Sequence, residues 1–404
     1  MKKSWIAWIL GAAMLMMAGC GSEGSVEGTE DTGSTGTGIW DIALAGGDWE
    51  PVSNTYDLNG SDYVTLCDYS AIPVTLTEDY TVSDEDVQAY LEGIFATYTP
   101  YGPFHVTDTS KTVIGDGDIV SVDYVGSLDG VAFAGGSAQN QMIDVDNNCS
   151  VADISNYYQP SGYIDGFTDG LKGAGVGDVI DCDVTFPENY GNSDLAGKQV
   201  VFTFTVNAIL KEVNSLDEVD DAFAQEMFEV DTVDEMYDFI REMLEANAEQ
   251  LKLDETVTGI QQYLLDNCTV EVPKDYLEAR YVDYLREFVD QYCGGDVSQL
   301  ETYVSERYGR SLSEMDEAWR EAINRSICIE LILDAIADEL GTEIDEENYA
   351  AFIQQALSEE QLYVEEDLYN LYGYGDAEYG ERYFHDIYRY NLVLEELAET
   401  VVVK

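Results

Sequence analysis

Side chains able to do covalent or metal chemistry are few and scattered in this 404-residue chain. Only two histidines occur, His105 and His385, which is too small a supply for a histidine-rich metal store. No Ser/His/Asp or Cys/His set suited to nucleophilic catalysis can be read from the spacing. Asp144-Val-Asp146-Asn-Asn148 begins like a calcium loop. However, Cys149 stands at the sixth position, where glycine is needed, and Ser155 at the twelfth, where glutamate is expected. After Cys20, six cysteines remain, at 67, 149, 182, 268, 293 and 328. Their spacing shows no compact disulfide framework, and their pairing is left open. The sequence therefore asks for no cofactor and no metal. What it offers instead is a stretch dense in aromatic residues and glycines, Gly117–Lys211.

The elements of that stretch follow from its periodicity. Gly117–Gly126 alternates apolar and polar residues as a β-strand does and runs into a glycine turn, and Val200–Leu210 alternates in the same way. Between them lie Gly162-Tyr-Ile-Asp-Gly-Phe-Thr-Asp-Gly-Leu-Lys-Gly173, read as a short helix punctuated by glycines, and Phe186-Pro-Glu-Asn-Tyr-Gly191. In this order and spacing the four blocks resemble an FKBP-type peptidyl-prolyl isomerase domain. The resemblance implies an α+β half-barrel, an antiparallel sheet wrapped on a short helix, that isomerises X-Pro bonds. The amide barrier is about 18–20 kcal/mol. A dry aromatic cleft lowers it by favouring the twisted, less solvated amide, with no acid, base or nucleophile.

Carried over residue by residue, the resemblance assigns Tyr124 to the aromatic wall and Phe133 to the next aromatic of the cleft. Ile164 supplies the backbone donor, Phe167 the pocket floor, Tyr190 the rim hydroxyl and Phe204 the strand aromatic. Ala134 departs from the pattern, replacing the acidic residue that commonly follows the phenylalanine.

The flanks set this domain in context. Lys2 and Lys3 precede the apolar run Trp5–Met17, and Met17-Ala-Gly-Cys20 resembles a bacterial lipobox. Residues 1–19 are thus expected to be a signal peptide, Cys20 to carry lipid, and residues 20–60 to form a flexible tether. Residues 61–108 read as an extended arm, Tyr63–Leu76, followed by a helix opened by Ser83-Asp-Glu-Asp86. That helix places Val87, Tyr90, Leu91 and Ile94 on one face. After the isomerase region, residues 109–212, the period changes to 3.6 and an α-helical segment occupies residues 213–404. Thr232-Val-Asp-Glu235 caps a long helix, and Pro273 suits the first turn of the next, which stops at Gly294-Gly295. Met315, Trp319, Ile323, Ile327 and Leu331 line another that ends at Gly341. Helices at Asp345–Leu357 and Tyr383–Leu397 complete the pattern.

This arrangement resembles trigger factor, the bacterial folding chaperone. The matching text is Leu216-Asp-Glu-Val-Asp-Asp-Ala-Phe-Ala224, Val270-Glu-Val-Pro273 and Leu331-Ile-Leu-Asp-Ala-Ile-Ala-Asp-Glu-Leu-Gly341. Two departures accompany it. The family's basic Gly-Phe-Arg-x-Gly-Lys ribosome-docking text does not occur, so ribosome docking is not expected. Cys149–Pro160 also lengthens the chain beside the pocket.

Charge agrees with these partners: 18 Lys+Arg against 81 Asp+Glu give a net charge of -63, which disfavours nucleic acid. The resemblance implies an exported, lipid-anchored, extracytoplasmic foldase whose clients are unfolded or proline-containing exported polypeptides. A non-catalytic holdase with a degenerate pocket is the alternative. Eight tyrosines between Tyr363 and Tyr390 are expected mostly to pack between helices.

Overall fold

The computed structural model describes residues 56–151, 161–373 and 375–403. Cys20 with its lipobox, the tether and most of the Cys149–Pro160 insertion lie outside the described residues. The chain divides into two compact units, Tyr80–Glu249 and a second made of the residues up to Asp79 with Gln250 onward. No helix among the described residues is long and apolar enough to cross a membrane.

The second unit opens with β1 (Val64–Thr65) and β2 (Pro73–Val74). The Tyr80–Glu249 unit begins at α1 (Asp84–Tyr98), where Ser83 and Asp86 form the expected capping box. Val87, Leu91 and Phe95 are its buried residues, whereas Tyr90 of the expected face is exposed. There follow β3 (Phe104–Thr107), β4 (Ile119–Leu128), β5 (Val131–Asp144), β6 (Cys149–Ser150), β7 (Val179–Thr185) and β8 (Gln199–Val213). They make one antiparallel sheet in the order β3-β8-β4-β5-β6, with β7 beside β3 on the same edge of β8. Asp129 and Gly130, both at positive φ, close β4 onto β5 as a two-residue hairpin. Along β8, Val200, Phe202, Phe204 and Val206 are buried on one face, the alternation read in the sequence.

The segment expected to be a short helix is instead a run of turns. Phe167, Asp169, Leu171 and Ala174 donate their N–H groups to the carbonyls three residues back, at 3.0–3.4 Å. Gly166 and Gly173 hold φ of 86° and 83°, which a regular helix does not admit. Beyond the sheet, α2 (Asp221–Phe228) and the first turns of α3 (Val233–Asn267) pack Phe223, Met236 and Ile240 against Val87, Leu91, Phe95 and Phe104.

In the other unit the later part of α3 supplies Val257, Ile260 and Leu264 to a core shared with α6 (Leu312–Leu340) and α9 (Ala377–Thr400). Ile72 and Val74 of the arm are buried in that core. β1 pairs antiparallel with β9 (Thr269–Val270), and β2 pairs parallel with β10 (Val402–Val403). Gly60 presses its backbone onto α6, where its N–H donates to Asp334 Oδ2 at 2.7 Å. Two further helices, α4 (Lys274–Cys293) and α5 (Leu300–Tyr308), enclose Tyr281, Leu285, Phe288 and Trp319 with α6. Pro273 stands one residue before α4 as its N-cap, with extended ψ of 125°, and not within the first turn. Arg280 forks onto Glu330 at 2.9 and 3.0 Å, and Arg389 pairs with Asp334 at 2.8 Å and Asp338 at 2.5 Å.

A last cluster joins α7 (Glu346–Glu359), α8 (Glu365–Tyr372) and α9 through Phe352, Leu368, Phe384 and Tyr388. Tyr369, Tyr372 and Tyr383 pack against it and Tyr390 against the arm's core. Tyr363, by contrast, is 95% exposed. Gly380 is where α9 crosses α8, since a Cβ there would lie inside the backbone carbonyl of Tyr369. Gly380→Ala should therefore force the two helices apart and cost about 1–3 kcal/mol. Urea denaturation reads this directly, and an unchanged midpoint would contradict so close a crossing.

Candidate active site

Tyr124 is aimed by a β-bulge. The register of β4 shifts against β8 at Ser121/Val122 and against β5 between Val122 and Tyr124. Asp123 fills that irregularity, accepting from Asn140 N–H and from Asn207 Nδ2, each at 2.8 Å. These two bonds hold its carboxyl below the usual carboxylate range. The residue after it then turns its ring onto the sheet face, directly opposite Phe204 of β8. There Tyr124 meets Phe167 edge-on at 5.2 Å and Phe204 at 5.7 Å between ring centroids. Burial raises its phenol.

The six residues assigned from sequence occupy one aromatic assembly at different depths. Phe167 is 2% exposed and Phe204 fully buried, so these two form its base. Tyr124, Phe133 and Ile164 are half-buried against the same core, and Tyr190 is 39% exposed. Ile164 begins the turn that carries Phe167, and among the described residues no hydrogen bond engages its N–H.

Three rings that sequence reasoning passed over link the set. Phe202 meets Tyr124 at 5.9 Å, Phe133 at 5.8 Å and Phe167 at 4.7 Å. Phe186 joins Phe133 at 5.9 Å to Tyr190 at 4.4 Å. Tyr163 lies flat on Phe167, with centroids 4.4 Å apart and an interplanar angle of 19°. The period-2 alternation of β8, which gave Phe204, could equally have found Phe202. Nothing in the local text signals Tyr163. Phe133 itself lies against Gly126 and Gly136, where a Cβ would collide with its ring.

The surrounding polar contacts fix the turns that bear these rings. Asn148 Nδ2 donates to the carbonyls of Ile164 at 3.1 Å and Tyr163 at 3.3 Å. Lys172 bridges Asp116 and Asp146, and Asp146 also accepts from Gly117 N–H at 2.9 Å. The Asp144–Asn148 loop is thus a turn whose Asp146 is paired to a lysine, while Asp144 accepts from the N–H groups of Asp146 and Asn147. Among the described residues no group of three or more His, Cys, Asp or Glu is placed to hold a metal ion. The assembly is suited to receive an apolar ring or a proline against its half-buried rim, with a tyrosine hydroxyl and a backbone N–H beside it.

Comparison with known proteins finds relatives for two parts of the chain. Residues 110–208 match the family described as FKBP-type peptidyl-prolyl cis-trans isomerase, and residues 232–379 match bacterial trigger factor protein C-terminus. Trigger factor of Clostridioides difficile (strain 630) is 30% identical over 302 residues, 74% of this chain and 65% of that protein. Trigger factor of Halothermothrix orenii is 29% identical over 288 residues, covering 70% of this chain and 61% of the relative. For that of Agathobacter rectalis the figures are 29% over 310 residues, 76% and 64%. The chain thus spans a little under two thirds of the length of these trigger factors. A solved structure of the trigger factor chaperone shows a weak likeness, with a TM-score of 0.39 at 14% identity over 83% of this chain and 73% of that one.

Asp118, just before β4, generates a testable pH dependence. It is 5% exposed, and burial alone would raise it. Lys111 at 2.5 Å and the Gly115 N–H at 2.7 Å outweigh burial and leave it below the usual carboxylate range. A carboxyl depressed in the folded state adds stability above its unfolded pKa of about 3.9 and loses it as pH falls through the folded value. Lys111→Met should destabilise the fold at neutral pH by about 1.5–3 kcal/mol. It should also flatten the loss of melting temperature below about pH 4. Parallel melting curves for the two proteins between neutral pH and about pH 3 would rule this out.

Proposed function

We propose that this chain is a membrane-anchored, extracytoplasmic foldase. Its FKBP-type domain isomerises X-Pro bonds, and its helical part holds unfolded exported polypeptides. The observation that carries the enzymatic reading is the graded aromatic assembly. Phe167 and Phe204 form a buried base, Tyr124, Phe133 and Ile164 stand half-buried above it, and Tyr190 is exposed at the rim. A proline ring laid on such a surface leaves water on one side. The planar amide loses more solvation than the twisted one, so the barrier falls without proton transfer. The Ile164 N–H and the Tyr190 hydroxyl are the donors available to fix the substrate backbone. The similarity to trigger factors supports the chaperone activity. The signal-like segment before Cys20 supports export and lipid attachment. Nucleic acid binding forms no part of the proposal, given the net charge of -63.

A second reading, a holdase whose isomerase pocket does not turn over, is favoured by one feature. Tyr163 stacks on Phe167 and leaves the floor almost no exposed surface. A protease-coupled tetrapeptide assay separates the two. For an active pocket the wild type accelerates cis-to-trans conversion, and Tyr190→Ala lowers kcat/KM about tenfold, the equivalent of roughly 1.4 kcal/mol. Suppression of client aggregation should stay intact in that variant. Under the second reading the wild type gives no acceleration, and Tyr163→Ala, by opening the floor, creates it. For the anchor, metabolic labelling with a radioactive fatty acid should mark the wild type and not Cys20→Ala. Retained label in the variant would remove the lipid attachment from the proposal.

A further inference from the structure

Two cysteines 201 positions apart in sequence meet in the helical unit. Cys67 follows β1 and Cys268 precedes β9, and these strands pair antiparallel through Val64↔Val270 and Thr65↔Thr269. Continued by one residue, that register sets Leu66 opposite Cys268, and from the next position Cys67 places its sulfur 3.1 Å from that of Cys268 and donates its N–H to Cys268 Sγ at 3.3 Å. Both residues are half-buried, packed at the border of the core that holds Ile72 and Val74. The remaining described cysteines occupy other places. Cys182 lies in the isomerase core, Cys149 on β6, Cys293 at the end of α4 and Cys328 within α6. Among the described residues no other two cysteine sulfurs are in contact.

We propose that Cys67 and Cys268 form an oxidative modification site, at which a small-molecule or protein disulfide donor converts the two thiols into an intramolecular disulfide. A disulfide needs sulfurs about 2.0 Å apart, so closing the gap takes a shift of roughly 1 Å in two flexible side chains. The exchange balances without any other reactant. One cysteine loses its proton and attacks the donor disulfide, whose S–S bond breaks, giving a mixed disulfide and one donor thiolate. The second cysteine then loses its proton, and its sulfur attacks the protein sulfur of the mixed disulfide, expelling the second donor thiolate. Two protein thiols are oxidised, the donor is reduced to two thiols, and the two protons end on them. Burial, with Cys268 as neighbour, pushes the Cys67 thiol up to about 12, so the reaction is slow near neutral pH and quickens as pH rises.

The bond would sit at a particular place in the chain. Everything between Cys67 and Cys268 includes the whole compact unit Tyr80–Glu249. The crosslink therefore closes a loop of chain that contains that unit, and neither cysteine belongs to the aromatic assembly. It gives the helical unit a covalent tie between its arm and the end of α3. The inference rests on the strand register and the sulfur geometry and stands whether or not the pocket is catalytic.

The test uses the full chain incubated with oxidised glutathione at pH values from about 7 to 9, followed by alkylation and peptide mapping. The expected result is a peptide linking Cys67 to Cys268, formed faster at higher pH and lost on reduction. Its formation should raise the melting temperature by at least about 5 °C. Dithiothreitol should abolish that rise, and Cys67→Ser/Cys268→Ser should melt identically in both conditions. Prolyl turnover, where present, should be the same in oxidised and reduced protein. The proposal is overturned if both thiols stay alkylatable throughout, if they stop at glutathione adducts, or if either pairs with another cysteine. The mapping on the wild type decides the matter even if the double variant fails to fold.

Discussion

The unit of this protein that carries the aromatic assembly depends on the enclosure of one ring, Phe167. The turn that carries it has too many glycines to be a helix, so hydrogen bonds within that turn cannot alone hold it against the sheet. It is held from outside. Phe202, Phe204 and Tyr124 meet the ring on its edges and Tyr163 covers a face. Thr168, the next residue, is anchored by its hydroxyl on the Val145 carbonyl at 3.1 Å. Edge-to-face contacts of this kind each add about 0.5–1.5 kcal/mol beyond simple burial. A buried Phe167 thus orders the turn, and the turn presents Ile164. The rim of the assembly and the fold are secured by the same contacts.

A different constraint governs the helical unit. Its helices carry a large excess of acid, and two of its arginines pair with partly buried carboxylates. Arg280 answers Glu330, and Arg389 answers Asp334 and Asp338. Asp334 also takes the Gly60 N–H, so one carboxylate serves both a helix pair and the incoming arm. Charges this sheltered would oppose folding if unpaired. The economy of basic residues in the sequence makes each of these pairs consequential in a way that an exposed surface pair is not.

What could be read in advance was local. Ser83 with Asp86 and Thr232 with Glu235 announce helix starts, and both form the expected bonds. Gly294 and Gly341 end helices at φ of 59° and 67°. The alternation of β8 put Phe204 on the buried face. Family spacing placed six residues whose rings and chains do gather in one assembly. What escaped is non-local or depends on backbone sign. The glycine run at Gly162–Gly173 looks helical by its apolar spacing and fails because two of its glycines turn left-handed. The stacking of Tyr163 on Phe167 depends on the clamp by Asn148, itself at φ of 50°, from across a loop. The meeting of Cys67 and Cys268 is fixed by strand pairs of two residues each, far too short to show a period. Tyr90 is exposed because the buried stripe of its helix runs through Val87, Leu91 and Phe95, the last reaching the aromatic pair Phe104 and Phe223.

The pairing of β2 with β10 has a consequence in time. Pro73 and Val74 find their partners at Val402 and Val403, so about 330 residues must be made before that contact can exist. The unit Tyr80–Glu249 is continuous in sequence and has all its partners long before then. A chain emerging from its N-terminal side would therefore complete that unit first and leave Ile72 and Val74 without their last partners until the end. The protein spends its own synthesis as an incompletely folded polypeptide with exposed apolar segments. It passes through the condition of the clients it is proposed to hold.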